Sequence, residues 1–341
     1  MDIETRSVEP CHGPHVMIKC REIVEESRLR KKWKGDILFL LVVGALVGGW
    51  LYLYPHPADS ALSPLDPPRD LQAQDLPSYA SFEGLKLAYR LYEPREEPEY
   101  VLVFLHDTLL HGGWYASLGR DLAREGVAVF LPDRRGWGRS AGDHRQVADD
   151  PSVLIEDITA MLSVAQARYP QTPLYLGGHG RGAGLALCYI AAHRPVDGVV
   201  LVSPYISDDQ PNLRPEGWQA LARGHPGEVF LARSGLVYWP VWHYGWPEGM
   251  LEADPLLKTD ISISLMQETV PEDLDAAYRA LAVPLLCVQA QDDPLFIPDK
   301  TPELMALFAA PDRQLETVPN ADYLTVIESA ANPIAHWLQG R

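Results

Sequence analysis

The sequence predicts an α/β protein built on a mostly parallel sheet, and three observations carry that expectation. Short, continuous apolar runs recur between residues 100 and 291, segments of helical spacing alternate with them, and a glycine-rich turn joins one run directly to a helical segment. Apolar runs bounded by turn residues fit strands buried on both faces. Regular alternation with helices fits a sheet covered on both sides. Reacting and binding groups in such sheets gather beyond the carboxyl ends of the strands.

Taken in chain order, residues 1–35 form a charged segment expected to lie in the cytoplasm. Its stretch "CHGPHVMIKC" sets Cys11, His12, His15 and Cys20 close together, but the spacing matches no standard zinc pattern, and no metal or cofactor is expected. Cys188 and Cys287 fall in apolar runs and read as small core residues. Residues 37–54, "ILFLLVVGALVGGWLYLY", are eighteen residues without a charge. At about 1.5 Å per residue they nearly cross a hydrocarbon layer of about 30 Å, so a transmembrane helix is expected over 36–54. Arg28, Arg30, Lys31, Lys32 and Lys34 precede it, and Trp50, Tyr52 and Tyr54 close it. The positive-inside rule then puts the N-terminus inside and the large domain outside the plasma (inner) membrane. Gly44 and Gly48 make a small-xxx-small pair through which another helix could approach. Residues 55–77 hold six prolines and read as an extended linker.

The body, 78–341, begins with the alternating "LKLAYRLYEP" (85–94), as a half-exposed strand requires. "YVLVFLH", "VAVFLPD", "PLYLGGH", "DGVVLVSP" and "PLLCVQAQ" follow as buried strands. The helices expected between them are 114–126, 152–169 and 182–194. Residues 1–36 hold eight basic and seven acidic side chains, so the net charge of −17 leaves about −18 on the rest of the chain, residues 37–341. That charge argues against nucleic acid as a partner.

The loops after the strands carry a resemblance. "FLHDTLLHGGWY", "LPDRRGWGRSAG", "YLGGHGRGAG" and "QAQDDPLF" follow in the order seen in α/β-hydrolases. Together they resemble the monoacylglycerol lipase, lysophospholipase and serine aminopeptidase-like branch, over roughly residues 80–340 with a cap near 205–281. The resemblance implies a serine on the elbow that attacks an acyl carbon, a histidine that takes its proton, and an acid that orients the histidine. In this chain the nucleophile place holds Gly180, the acid is Asp293 with Asp292 as its alternative, and the histidine place holds Tyr323. Glycine forms no acyl intermediate, and a phenol with pKa near 10 is a poor base at neutral pH.

The surrounding pocket also departs from the family pattern. Where His-Gly is usual, the chain has His106-Asp107, followed by Thr108, and the elbow reads His179-Gly180-Arg181. An inward Asp107 would repel a developing oxyanion; Asp107 and Arg181 either form an ion pair that plugs the vestigial site or both point to solvent. The true G-x-S-x-G string, Gly138 to Gly142 around Ser140, lacks the strand–turn–helix setting and is read as a brace. Ser203 has no identifiable histidine partner. In the cap, Tyr238, Trp239, Trp242, Tyr244 and Trp246 offer either a lid over an acyl pocket or a docking surface.

These features point to a membrane-anchored, non-catalytic member of the fold. It would act as a scaffold, accessory subunit or ligand-binding module. Its partner would be a protein, met through the membrane helix or the aromatic cap, or an apolar ligand. The alternative is an active esterase, lipase or peptidase with a rearranged site.

Overall fold

The computed structural model describes residues 62–68, 75–108, 110–143, 152–192, 196–207, 209–214, 239–240, 247–258, 260–261 and 269–341. The expectations for 1–35, for the 36–54 span with Gly44 and Gly48, and for most of 55–77 lie outside these residues. So do those for Tyr238, Trp242, Tyr244 and Trp246, and Trp239 is described by its backbone alone. Among the described residues no helix is long and apolar enough to cross a membrane.

Alternating burial builds the sheet. In β3 (Tyr100–Leu105) every residue after the first is buried. Leu102 and Phe104 face one hydrophobic core, while Val101, Val103 and Leu105 face the other. This period of two is why the run is apolar throughout: each side of the pleat meets a covered face. The remaining strands are β1 (Ser78–Ala80), β2 (Lys86–Tyr92), β4 (Val127–Pro132), β5 (Leu174–His179), β6 (Gly198–Val202), β7 (Leu285–Ala290) and β8 (Arg313–Val318). Their order in the sheet is β1-β2-β4-β3-β5-β6-β7-β8. β1 and β2 run antiparallel to their neighbours, and the strands from β3 onward are parallel. The α/β-hydrolase-type sheet expected from the motifs is therefore present. β8 closes one edge with Arg313 and Glu316 among its residues, and charges on an edge discourage further pairing.

Helices α1 (Ala116–Arg124), α2 (Ser152–Arg168) and α3 (Arg181–Ala192) cover the faces where helical spacing predicted them. In the cap region the described helices are α4 (Glu248–Ala253) and α5 (Leu274–Ala280). α6 (Thr301–Leu307), α7 (Val326–Ser329) and α8 (Ala331–Gln339) complete the C-terminal part.

Two loop braces fix the rim of the sheet above β3 and β4. Asp133 is fully buried and accepts hydrogen bonds from Arg90 Nη1 (2.9 Å), Gly112 N (2.8 Å) and Arg139 N (2.9 Å). Ser140 accepts from Ala88 N (2.8 Å) and donates to the Asp133 carbonyl. It is part of that brace rather than of any reacting site.

One stretch departs from expectation. Residues 62–68 fall within the linker, yet Leu62 and Leu65 are buried in the same core cluster as Tyr323 and Leu324. Ser63 N also donates to Asp322 Oδ2 at 2.7 Å. Proline content reports the backbone's preference for extension, and an extended segment with two apolar side chains docks as readily as it dangles.

Candidate functional site at the strand-to-helix elbow

β5 ends at His179 and α3 begins at Arg181, so one residue makes the turn. That residue, Gly180, has φ +53°, a left-handed conformation that costs other residues about 1–2 kcal/mol. Its N–H donates to Val202 O (3.0 Å), and its carbonyl accepts from Tyr205 N (3.0 Å) and Ala183 N (3.1 Å). The turn is held on three sides. Gly178 and Gly182 flank it because a Cβ on either would run into backbone, of Gly182 in the first case and of Leu105 in the second.

The space beside Gly180 is occupied. A Cβ placed there would overlap the Tyr323 hydroxyl and would sit 2.8 Å from Asp107 Oδ1. The phenol therefore lies where a side chain at the elbow would begin. Tyr323 Oη donates to Asp107 Oδ2 (3.0 Å), and Arg181 N donates to Asp107 Oδ1 (3.0 Å). In a serine hydrolase the N–H following the nucleophile is an oxyanion donor; here the protein's own carboxylate takes that bond. Asp107 and Tyr323 are both buried.

Arg181 departs from both expected arrangements. Its guanidinium carbon lies 4.0 Å from the centroid of Tyr205, and Nη1 is 3.4 Å from Thr269 Oγ1. The Asp107 carboxylate is held instead by the Arg181 backbone and the phenol. Sequence reasoning named the right two residues and the wrong atoms, because a helix-start N–H is invisible as a charge.

Two histidines flank the pocket as braces. His106 Nε2 accepts from Arg134 N (2.9 Å), which leaves Nδ1–H to donate to Asp107 O (2.6 Å). Burial and the nearby Arg134 charge hold its pKa well below the ordinary histidine value. Thr108 is buried beside it, with Arg134 Nη1 3.4 Å from Oγ1. His179 Nε2 faces the Tyr323 carbonyl (2.8 Å) and so carries the proton, leaving Nδ1 to accept from Tyr115 Oη (2.9 Å). Burial lowers its pKa to about 4, only partly offset by the Asp107 charge. Its ring stacks against Tyr323, centroids 4.5 Å apart. Tyr115, whose hydroxyl also accepts from Asp107 N (2.9 Å), carried no role in the sequence reading although it ends the "HGGWY" motif.

Asp293 is the buried acid, and Asp292 is exposed. Asp293 Oδ2 accepts from Ser203 Oγ and Gln289 Nε2, each at 3.0 Å, and Oδ1 from Leu295 N (2.9 Å) and Phe296 N (3.3 Å). Desolvation raises its pKa to about 7 against those stabilising bonds. Burial and the Asp107 charge likewise push the Tyr323 phenol well above its ordinary value. The phenol therefore supplies no base at the elbow near neutral pH, while both oxygens of the Asp293 carboxyl are taken up by Ser203, Gln289 and two backbone N–H groups.

A second junction escaped sequence reasoning. His111 Nε2–H donates to Asp254 Oδ2 (2.7 Å), as does Trp114 Nε1 (2.8 Å), while Leu256 N caps Oδ1 (2.8 Å). Burial opposes this charge, yet the bonds from His111, Leu256 and Trp114 hold the carboxyl below its usual range. The junction fastens the cap segment 247–258 to the loop after β3, 143 residues earlier, a separation that no local signal reveals. Among the described residues no group of three or more His, Cys, Asp or Glu side chains is arranged to hold a metal.

Comparison with known proteins bears out the resemblance. The family described as serine aminopeptidase, S33, matches residues 96–329, more than half of the chain. A monoglyceride lipase of Rattus norvegicus is 33% identical over 148 residues, 43% of this chain and 48% of that protein. The chain thus spans about half the length of the first relatives it matches. A monoacylglycerol lipase of Mycolicibacterium smegmatis is 25% identical over 261 residues, covering 71% and 87%. The crystal structure of a soluble variant of the Saccharomyces cerevisiae monoglyceride lipase, with a substrate analogue, shares the fold with a TM-score of 0.63. It is 17% identical, over 84% of this chain and 99% of that one. These relatives are lipases, so by ancestry alone they weigh for the hydrolytic alternative over a non-catalytic role.

Two outcomes follow from the packing and the charge. Gly180→Ala should cost about 3 kcal/mol in urea denaturation, from overlap and left-handed strain together. Adding Tyr323→Phe, which deletes the colliding oxygen, should leave the double variant about 1–2 kcal/mol more stable than the sum of the singles. Strict additivity would mean that the phenol does not fill that space. For Asp293 the folded pKa, about 7, lies above the ordinary aspartate value of 3.8. The folded state therefore binds the proton more tightly, and stability falls as pH climbs between those values. Asp293→Asn should remove that slope, gaining a few kcal/mol on the wild type from pH 4 to pH 7 and no more above it. Parallel curves in urea midpoints across that range would contradict a proton held at Asp293.

Proposed function

The chain belongs to the serine aminopeptidase S33 family of hydrolases, and from that premise we propose that its elbow site has exchanged acyl transfer for a binding or accessory role. One observation carries the reading: the Tyr323 hydroxyl lies where a nucleophile's side chain would start at position 180. Acyl transfer needs an attacking oxygen, a base and an empty oxyanion site within a few ångströms of one another. At this elbow the first place holds no side chain. The second holds a phenol with a raised pKa, and Asp107 fills the third. A negative carboxylate on the Arg181 N–H opposes the charge that a tetrahedral intermediate would place there. The uncharged run at 37–54 supports a membrane anchor for this domain, with the N-terminus inside. The occupant of the cap side would be a protein or an apolar ligand.

A second reading is favoured by the relatives, which are lipases by name. It makes the chain an ester hydrolase with a rearranged site. Its best internal support is the Tyr115 hydroxyl, which already donates to an imidazole, that of His179.

A fluorophosphonate probe separates the two readings. The purified full chain should stay unlabelled and should hydrolyse short and long acyl esters no faster than buffer. Stoichiometric labelling of Tyr115 or of any serine would replace the binding reading with the hydrolytic one. The triple variant Asp107→Gly, Gly180→Ser, Tyr323→His returns the three places to the family pattern. It should exceed the wild-type chain by at least about 100-fold on a short acyl ester, the usual scale for a restored base.

A further inference from the structure

The turn that carries Tyr323 is built by Asp322. Its Oδ1 accepts from Leu324 N (2.9 Å), Thr325 N (2.9 Å) and Thr325 Oγ1 (3.0 Å), and Thr325 Oγ1 accepts in turn from Asp322 N (2.9 Å). Those bonds aim the tyrosine at Gly180. The other oxygen, Oδ2, accepts from Ser63 N (2.7 Å), a residue 259 positions earlier. Leu62 and Leu65, on either side, pack into the cluster that contains Tyr323, Leu324, Val326 and Ile327. A single carboxylate thus joins two things: the turn that places the plug, and a segment that belongs to no strand or helix.

We propose that residues 62–65 are a strap that holds Tyr323 in the vacated pocket, so that undocking the strap unseats the phenol and opens the cleft at Gly180. The inference rests on the plugged-site reading and adds a control point to it. The strap is fastened by the Ser63 donors on Asp322 and by two buried leucines, with no strand pairing of its own, whereas the sheet behind it is tied by a full ladder. It therefore belongs to the low-stability end of the molecule, where local opening precedes global unfolding. From Asp322 the connection runs through Tyr323 Oη to Asp107 and from there to Arg181 N. Tyr323 O is bound to His179 on the way. Loosening Asp322 loosens the turn that holds Tyr323 in this series. Seven residues, 55–61, separate the strap in sequence from the apolar run 37–54.

The test uses the full chain in detergent and reads the exposure of Tyr323 by tetranitromethane nitration, located by peptide mass. In the wild type, Tyr323 and Tyr115 should both be protected. In Leu62→Glu/Leu65→Glu, Tyr323 should be nitrated about tenfold faster or more while Tyr115 stays protected, the signature of local rather than global opening. Ser63→Pro removes both Ser63 donors to Asp322, the N–H and the hydroxyl, while keeping the two leucines, and should shift Tyr323 in the same direction by less. It serves if the double variant does not fold. Leu162→Ala lies in the opposite core and should lower the melting midpoint without selective exposure of Tyr323. The strap is overturned if Tyr323 stays protected in both strap variants, or if Leu162→Ala exposes it equally. Nitration does not measure hydrolysis. Failure here leaves the binding reading standing, and fluorophosphonate labelling of the wild type would sink that reading without altering the protection of Tyr323.

Discussion

A buried carboxylate between an amide N–H and a phenol governs the rest of the site. Asp107 can be inside only because Arg181 N and Tyr323 Oη each give it a hydrogen bond at 3.0 Å; without them its burial would cost several kcal/mol. Tyr323 can reach it only because residue 180 has no Cβ. And residue 180 turns the chain at φ +53° whether or not it reacts. The three departures from the family pattern at 107, 180 and 323 are thus one departure. A side chain at 180 expels the phenol, and a histidine at 323 takes the place of the phenol donor that Asp107 uses. A glycine at 107 leaves the phenol oxygen facing a gap. Their coupling is steric and electrostatic, and no one of them is neutral alone.

Asp293, at the place the resemblance gives to the triad acid, bonds to no histidine among the described residues. With no imidazolium opposite, desolvation dominates and the carboxyl titrates near 7. Its bonds turn sideways, to Ser203 and Gln289. From Gln289 the polar contacts continue through Thr301 to Asn212 and Gln210. Those last residues form the root of the cap, where Leu213 pairs with Phe296 and Arg214 N donates to Leu295 O. Such a series is stable only when each member is satisfied. Asp293 thus forms a strut between β7 and the cap root, a task that tolerates a neutral carboxyl. Ser203 serves the same strut with φ +36°, a strained backbone whose hydroxyl is spoken for.

Much of this was legible in the sequence, for reasons that can be traced. Runs such as "YVLVFL" announce a doubly covered strand because both faces must be apolar, and the spacing of the four loop motifs fixed the order of the sheet's rim. The elbow was legible as a shape, since Gly178, Gly180 and Gly182 answer to close backbone approach and positive φ rather than to chemistry. What sequence could not supply was direction. Asp107 was read as a repellent charge facing a cation and is instead a ligand of an amide. The 62–68 segment was read by its prolines and is held by its leucines. His111 with Asp254, and Ser63 with Asp322, meet across 143 and 259 residues, and pairs so distant leave no periodicity to find.

The tension between ancestry and site comes down to whether some other hydroxyl has inherited the reaction. Tyr115 is the one to weigh, since it donates to His179. A working relay needs the far nitrogen of the imidazole to face a carboxylate that stabilises the cation; here that nitrogen donates to a neutral carbonyl, Tyr323 O. The ring's pKa has fallen to about 4, so taking a proton near pH 7 would cost about 4 kcal/mol before any bond to carbon formed. The Tyr115 oxygen also accepts from Asp107 N and is wholly buried, with no open face toward an ester. The same contacts that bring hydroxyl and imidazole together seal them away from substrate. On the binding reading proposed above, fold descent from lipases supplies the frame for this arrangement and not its chemistry.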